Sequence, residues 1–85
     1  ALHLLGVIAQ QVGRHDAAIE YISRAIALNP NAAEYYNNIG EAYRAQGKQE
    51  EAIAHYWKAL ALKPAYADAH NNLGIVFPDI AKYRD

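Results

Sequence analysis

Histidines, carboxylates and asparagines are the residues in this chain that could do chemistry, and their spacing rules out most of it. His3, His15, His55 and His70 never fall four apart, and the chain has no His-Glu-x-x-His, no P-loop and no serine elbow. Cysteine is absent, which removes thiolate nucleophiles, disulfides and Cys-based zinc sites together. No catalytic residue, metal or cofactor is therefore expected. Glu50 and Glu51 are adjacent, but neighbouring helix residues diverge, and acids there suit the positive end of a helix. What remains is amide chemistry. Asn37-Asn38-Ile39-Gly40 is written again as Asn71-Asn72-Leu73-Gly74, thirty-four residues on. Asn costs roughly 0.5–0.7 kcal/mol relative to Ala inside a helix, so two adjacent pairs ask for a reason.

The elements that would carry these amides follow from comparing the chain with itself. A shift of thirty-four aligns Gly6 with Gly40 and Gly74, Gly13 with Gly47, Ala18-Ile19 with Ala52-Ile53, Ala27-Leu28 with Ala61-Leu62, and Pro30 with Pro64. A fixed period of that size dictates a repeat architecture. Residues 1–32 form a first unit truncated at its start, 33–66 a complete second, and 67–85 part of a third. In the complete unit Tyr36, Ile39, Gly40 and Tyr43 recur at i, i+3, i+4, i+7, one face of a first helix. Ala52, Ile53, Tyr56, Ala59 and Leu60 form the apolar face of a second, after Gly47 and before Pro64, which disfavours the α conformation at Lys63. The pattern predicts five helices near 2–12, 16–28, 34–46, 50–62 and 68–77. Small residues at Gly6, Gly40, Ala18, Ala52, Ala25 and Ala59 predict close helix approach.

These landmarks resemble the tetratricopeptide repeat: aromatic or Leu, Leu-Gly, Tyr, Gly, Ala, aromatic, Ala, Pro. The complete unit fills every one, with Tyr36, Ile39-Gly40, Tyr43, Gly47, Ala52, Tyr56, Ala59 and Pro64. The first unit has Leu2, Leu5-Gly6, Ala9, Gly13, Ala18, Ile22, Ala25 and Pro30; the third has His70, Leu73-Gly74 and Phe77, then departs. The resemblance implies an all-α solenoid of antiparallel helix pairs, about two and a half repeats long. Pro78 replaces a helix residue and Ala81 the turn glycine, so the last helix is expected to end near Phe77 or to bend there. His70 is expected to fill the packing site of Tyr36.

With Tyr36, Ile39, Gly40 and Tyr43 turned to the core, Glu34, Asn37, Asn38, Glu41, Arg44 and Ala45 make a second stripe on the same helix. The matching stripes are His3, Leu4, Val7, Gln10 and Gln11 on the first helix and Asp68, Asn71, Asn72 and Ile75 on the last. In the resembled family the first helix of each pair lines a concave groove, which implies that these residues face it. The expected peptide contacts are Asn38, Asn72, Asn37, Asn71, Glu34, Glu41, Arg44, Asp68, His3 and Val7, with Asn38 and Asn72 one above the other. An amide offers two donors and an acceptor, so such a column could bond an extended peptide backbone whatever its side chains. It resembles the asparagine column in the tetratricopeptide arm of O-linked N-acetylglucosamine transferases. The alternative is that these amides bond neighbouring helices or solvent and reflect repeat duplication. A two-carboxylate clamp of the cochaperone kind is rejected: its places hold His3, Val7, Asn38, Asp68 and Asn72, and Asp68 would repel a carboxylate. Trp57, where the neighbouring unit has Ser23, marks a second possible contact or packs against its helix's neighbours.

A net charge of −1 with scattered Lys and Arg leaves no basic stripe for nucleic acid. No apolar run approaches the ~20 residues needed to span a bilayer, and no signal peptide opens the chain; the compartment is left open. Beginning at Ala1 inside an apolar helical pattern, the sequence reads as a piece of something longer. Leu4, Ile8 and residues near Ile75, Val76 and Phe77 are expected to be exposed at the ends, allowing copies to stack or exchange helices. The function expected is a non-catalytic module binding an extended segment of a protein or peptide. The alternatives are the substrate-recruiting arm of a larger enzyme, such as a glycosyltransferase, and a self-associating scaffold.

Overall fold

The computed structural model describes residues 2–76, which form five helices and no strand. They are α1 Leu2–Gln11, α2 His15–Leu28, α3 Ala33–Ala45, α4 Gln49–Leu62 and α5 Ala67–Val76. Apart from the start of α1 and the end of α5, which border residues outside the described range, each lies within a residue of its expected bounds, because the punctuation is local. Gly13 and Gly47 take φ of +82° and +81°, left-handed backbone that costs glycine little. That conformation brings Arg14 N–H to Ala9 O and Lys48 N–H to Tyr43 O, closing α1 and α3 with a six-residue capping bond. At the other end, Pro30 and Pro64 hold Asn29 and Lys63 extended, at φ −145° and −143°, so α2 and α4 stop at Leu28 and Leu62. Glu50 and Glu51 occupy the first turn of α4.

Each helix packs on the next in chain order, and the first helices of successive units also touch, α1 to α3 and α3 to α5. Close approach is built from the small residues. Ala18, Ala52, Ala42 and Ala59 are wholly buried. A Cβ at Gly6 would lie 2.4 Å from Ile22 Cγ1, and one at Gly40 would lie 2.6 Å from the Tyr56 ring. Ile22 and Tyr56, repeat equivalents, are among the largest fully buried side chains.

The units are also tied through their joints. Tyr36 Oη donates to Pro30 O at 2.9 Å, and His70 Nε2 donates to Pro64 O at 2.8 Å, the same bond one unit later. His70 thus keeps the hydrogen bond of the Tyr36 site, while its ring is exposed and Tyr36 is buried. At the chain's first helix Leu4, Leu5, Ile8 and Val12 are exposed. Ile75 is exposed too, but Val76 is buried in the cluster with Leu73, Ala69 and Leu60, a correction to the expected exposure there. The expectations for residues 77–85, including the bend at Pro78, lie outside the described residues.

Candidate functional site

The stripes carrying the amides meet where first helices adjoin, in one cleft between α1 and α3 and another between α3 and α5. The repeat puts corresponding residues in both. His3, Val7, Gln10, Ile22 and Asn38 of the first correspond to Asn37, Glu41, Arg44, Tyr56 and Asn72 of the second.

In the first cleft Asn38 Nδ2 donates to His3 Nε2 at 2.5 Å, a bond that needs this ring nitrogen unprotonated. The His3 ring lies over Tyr35 with centroids 4.5 Å apart, and burial lowers its pKa, against the opposing pull of Glu34. Beyond this bond opens a cavity of about 130 Å³, lined by Val7, Gln10, Gln11, Asn38 and Glu41, with buried Ile22 beneath. Gln10 Oε1 accepts from His15 Nδ1 at 2.7 Å, which anchors it to α2.

In the second cleft Asn72 Nδ2 donates to Asn37 Oδ1 at 2.8 Å and to Glu41 Oε2 at 3.3 Å, so both of its amide hydrogens are engaged. Asn37 also hydrogen-bonds the Tyr66 side chain. Asn37 and Asn72 are 3% and 7% exposed, which makes this bond a buried seam between units two and three. The Tyr66 hydroxyl is pushed above its usual pKa by burial and then by the charges of Asp68, Glu34 and Glu41. Beneath lies Tyr56, wholly buried, its pKa raised to about 12 by desolvation, with Arg44 and Glu41 acting on it in opposite directions.

The asparagine column therefore steps diagonally. The second Asn of each pair reaches back to the first stripe position of the preceding unit, Asn38 to His3 and Asn72 to Asn37. Of the other expected contacts, Val7 and Glu41 line the first cavity, Arg44 is half-buried, and Glu34, Asp68 and Asn71 are exposed. Trp57 keeps 53% of its surface exposed on α4, away from both clefts' linings. The residues that sequence reasoning did not place in the clefts are Ile22, Tyr56 and Tyr66. The signal for Tyr66 was its replacement of Ala32 in the preceding unit; for the floor residues it was the glycine opposite each.

No helix among the described residues is long and apolar enough to cross a membrane. Family models described as tetratricopeptide repeat match residues 1–32 and 21–54, and one described as TPR repeat matches residues 40–78. No curated protein matches. A crystal structure of MamA is similar, with a TM-score of 0.88 and 30% identity over 94% of this chain and 47% of that one. A second crystal structure of MamA protein has a TM-score of 0.85 and 32% identity over 89% of this chain and 42% of its own. The chain thus spans about half the length of these neighbours.

Proposed function

This chain is an all-α solenoid of tetratricopeptide repeats, and from that premise we propose that it is a non-catalytic interaction module that binds an extended protein segment along the face shared by α1, α3 and α5. The observation that carries this reading is the α1/α3 cavity with Asn38 at its edge. One amide hydrogen of Asn38 is held by His3, so its orientation is preset, while its other hydrogen and its carbonyl remain for a peptide unit. Ordering cost is thereby reduced before any ligand arrives. In this reading Asn37 and Asn72 act from beneath, aligning α3 and α5, whereas Asn38, Val7, Glu41, Asn71 and Arg44 meet the ligand, with Glu34, Asp68 and His3 at the rim. Should a catalytic domain follow in a longer chain, the same face would recruit its substrate. The test is a random peptide library screened against the wild-type chain and Asn38→Ala, both shown helical by circular dichroism. Selected peptides should lose about tenfold in affinity on Asn38→Ala; undiminished affinity would move the site elsewhere, with Trp57 next.

A second reading, a scaffold in which copies associate, rests on the exposed outer face of α1. Ile8 is 48% exposed, whereas its equivalents Ala42 and Val76 are 0% and 3% exposed, covered by α2 and α4. A groove of about 290 Å³ runs along this face past Leu5, Ile8, Val12 and Tyr21. The occupant that fits is a second helix like α2 or α4 from another copy. Ile8→Glu should abolish concentration-dependent mass in sedimentation equilibrium; a wild-type monomer at ~1 mM would end this reading.

A further inference from the structure

The cavity between α1 and α3 combines an apolar part with a carboxylate. Val7 walls it, buried Ile22 lies beneath, and Gln10, Gln11, Asn38 and Glu41 complete a space of about 130 Å³. Val7, Asn38 and Glu41 are partly exposed, so a bound segment can touch them. Glu41 forms no ion pair among the described residues. Its Oε2 accepts from Asn72 Nδ2 at 3.3 Å, just beyond the usual hydrogen-bond range. Arg44, three residues further along α3, is not part of the lining.

An occupant has to suit both parts. A carboxylate would be repelled by Glu41. An apolar side chain would match Val7 and Ile22 but would strip water from Glu41 and return no hydrogen bond. A cation on an aliphatic stem answers both, because the stem covers apolar surface while the charge makes a charge-assisted bond. The surroundings favour the same sign. The charged residues of the three stripes are Glu34, Glu41 and Asp68 against Arg44, and His3 is neutral where it accepts from Asn38. Reach agrees as well. Asn38 and Glu41 stand three apart on α3, about 5–6 Å between their Cβ atoms, a separation that the four-carbon stem of lysine spans. A backbone held by Asn38 can therefore deliver its side chain to Glu41. The carboxylate itself selects between the two strong bases. With Oε2 engaged by Asn72 it cannot offer both oxygens to a guanidinium fork, whereas a compact ammonium needs only one.

We propose that the α1/α3 cavity is a pocket for a lysine side chain of the bound segment, its methylenes over Val7 and the Ile22 floor and its ammonium on Glu41. The proposal rests on the groove reading above and gives it a partner chemistry: an extended segment with a lysine where its backbone meets Asn38.

The test uses four ten-residue peptides of Ala and Gly that differ only in a central Lys, norleucine, Arg or Glu. Each is titrated by amide NMR shifts into the wild-type chain, Glu41→Gln and Val7→Phe, all shown helical by circular dichroism. Glu41→Gln keeps an acceptor for Asn72 and removes only the charge, so it remains a test even if Val7→Phe does not fold. The Lys peptide should bind wild type about fivefold or more tighter than the other three, with shifts centred on Val7, Asn38 and Glu41. Glu41→Gln should abolish that advantage and leave the norleucine peptide unchanged, and Val7→Phe, which fills the cavity, should weaken the Lys peptide by about fivefold or more. Norleucine or Glu binding as tightly as Lys would overturn the proposal and leave the groove reading standing. So would a Lys advantage that survives in Glu41→Gln, which would move the cation to Glu34 or Asp68. Arg binding as tightly as Lys would overturn the assignment to an ammonium. If no peptide shifts any amide of α1, α3 or α5, the groove reading falls and the pocket with it.

Discussion

The two clefts occupy the same place in successive units and differ in character. Between α1 and α3 the floor is Ile22, the wall is Val7, and an open cavity remains above them. Between α3 and α5 those positions are Tyr56 and Glu41, and a chain of Tyr66, Asn37, Asn72 and Glu41, its two amides buried, ties the helices together. A repeat thus conserves its backbone while a few exchanges decide whether a seam is open or laced. An Asn bond spans each cleft; beside it the apolar pair of Ile22 and Val7 leaves room, whereas the polar set closes a further bond, since burial without one is costly.

The sharpest way to probe this contrast is to fill the glycine opposite each floor. Gly40→Ala would place a Cβ 2.6 Å from the Tyr56 ring and 3.2 Å from Ala52 O, and should cost about 1–3 kcal/mol in urea unfolding. Gly6→Ala meets Ile22 at 2.4 Å, but Ile22 borders a cavity into which it can turn, so the loss should be smaller. Equal losses would mean that the first floor is as rigid as the second.

Next in size are the amides. Asn72→Ala strands buried Asn37 and should cost about 1–3 kcal/mol, whereas Asn38→Ala, at a half-buried site, should cost about 0.5–1.5 kcal/mol. In a double-mutant cycle Asn37 and Asn72 should couple while Asn38 and Asn72 should not, because only the first pair is bonded. Coupling between Asn38 and Asn72 would show that the two amides also act on one another.

The smallest effects separate the clefts by pH. Folding lowers the His3 pKa below its ordinary 6.5, so the folded state binds fewer protons there. Stability present above pH 6.5 is lost as pH falls through the folded pKa, with the Asn38 side-chain amide resonances moving alongside. Folding raises Tyr56 from 10.0 to about 12, so its contribution is present below pH 10 and lost as pH rises from there toward 12. Tyr56→Phe should flatten that alkaline loss and leave the acid side unchanged.

Much of the fold was legible because its signals are local. Gly13 and Gly47 announce left-handed turns, Pro30 and Pro64 announce helix ends, and the apolar spacing announces the buried faces. The site was legible only as stripes. Asn37 and Asn38 are adjacent, and periodicity put both on the groove side, yet one is 3% exposed and the other stands at the cavity's edge. Successive residues lie about 100° apart around a helix, so a stripe several residues wide wraps from open groove to helix seam. Val76 shows the same limit, exposed by position in the pattern but covered by α4.

By itself, then, the sequence determined the thirty-four-residue unit, the five helices with their turns, and the small residues that let helices close up. Each depends on backbone preferences or on a neighbour within the same unit. Only the tertiary structure decided that Asn38 bonds His3, that Asn72 bonds Asn37 and Glu41, and that a cavity lined by Val7 and Gln10 opens between α1 and α3. Those outcomes depend on the offset between one unit and the next. That offset is set by the sum of all packing contacts across the interface, and no single position in the chain encodes it.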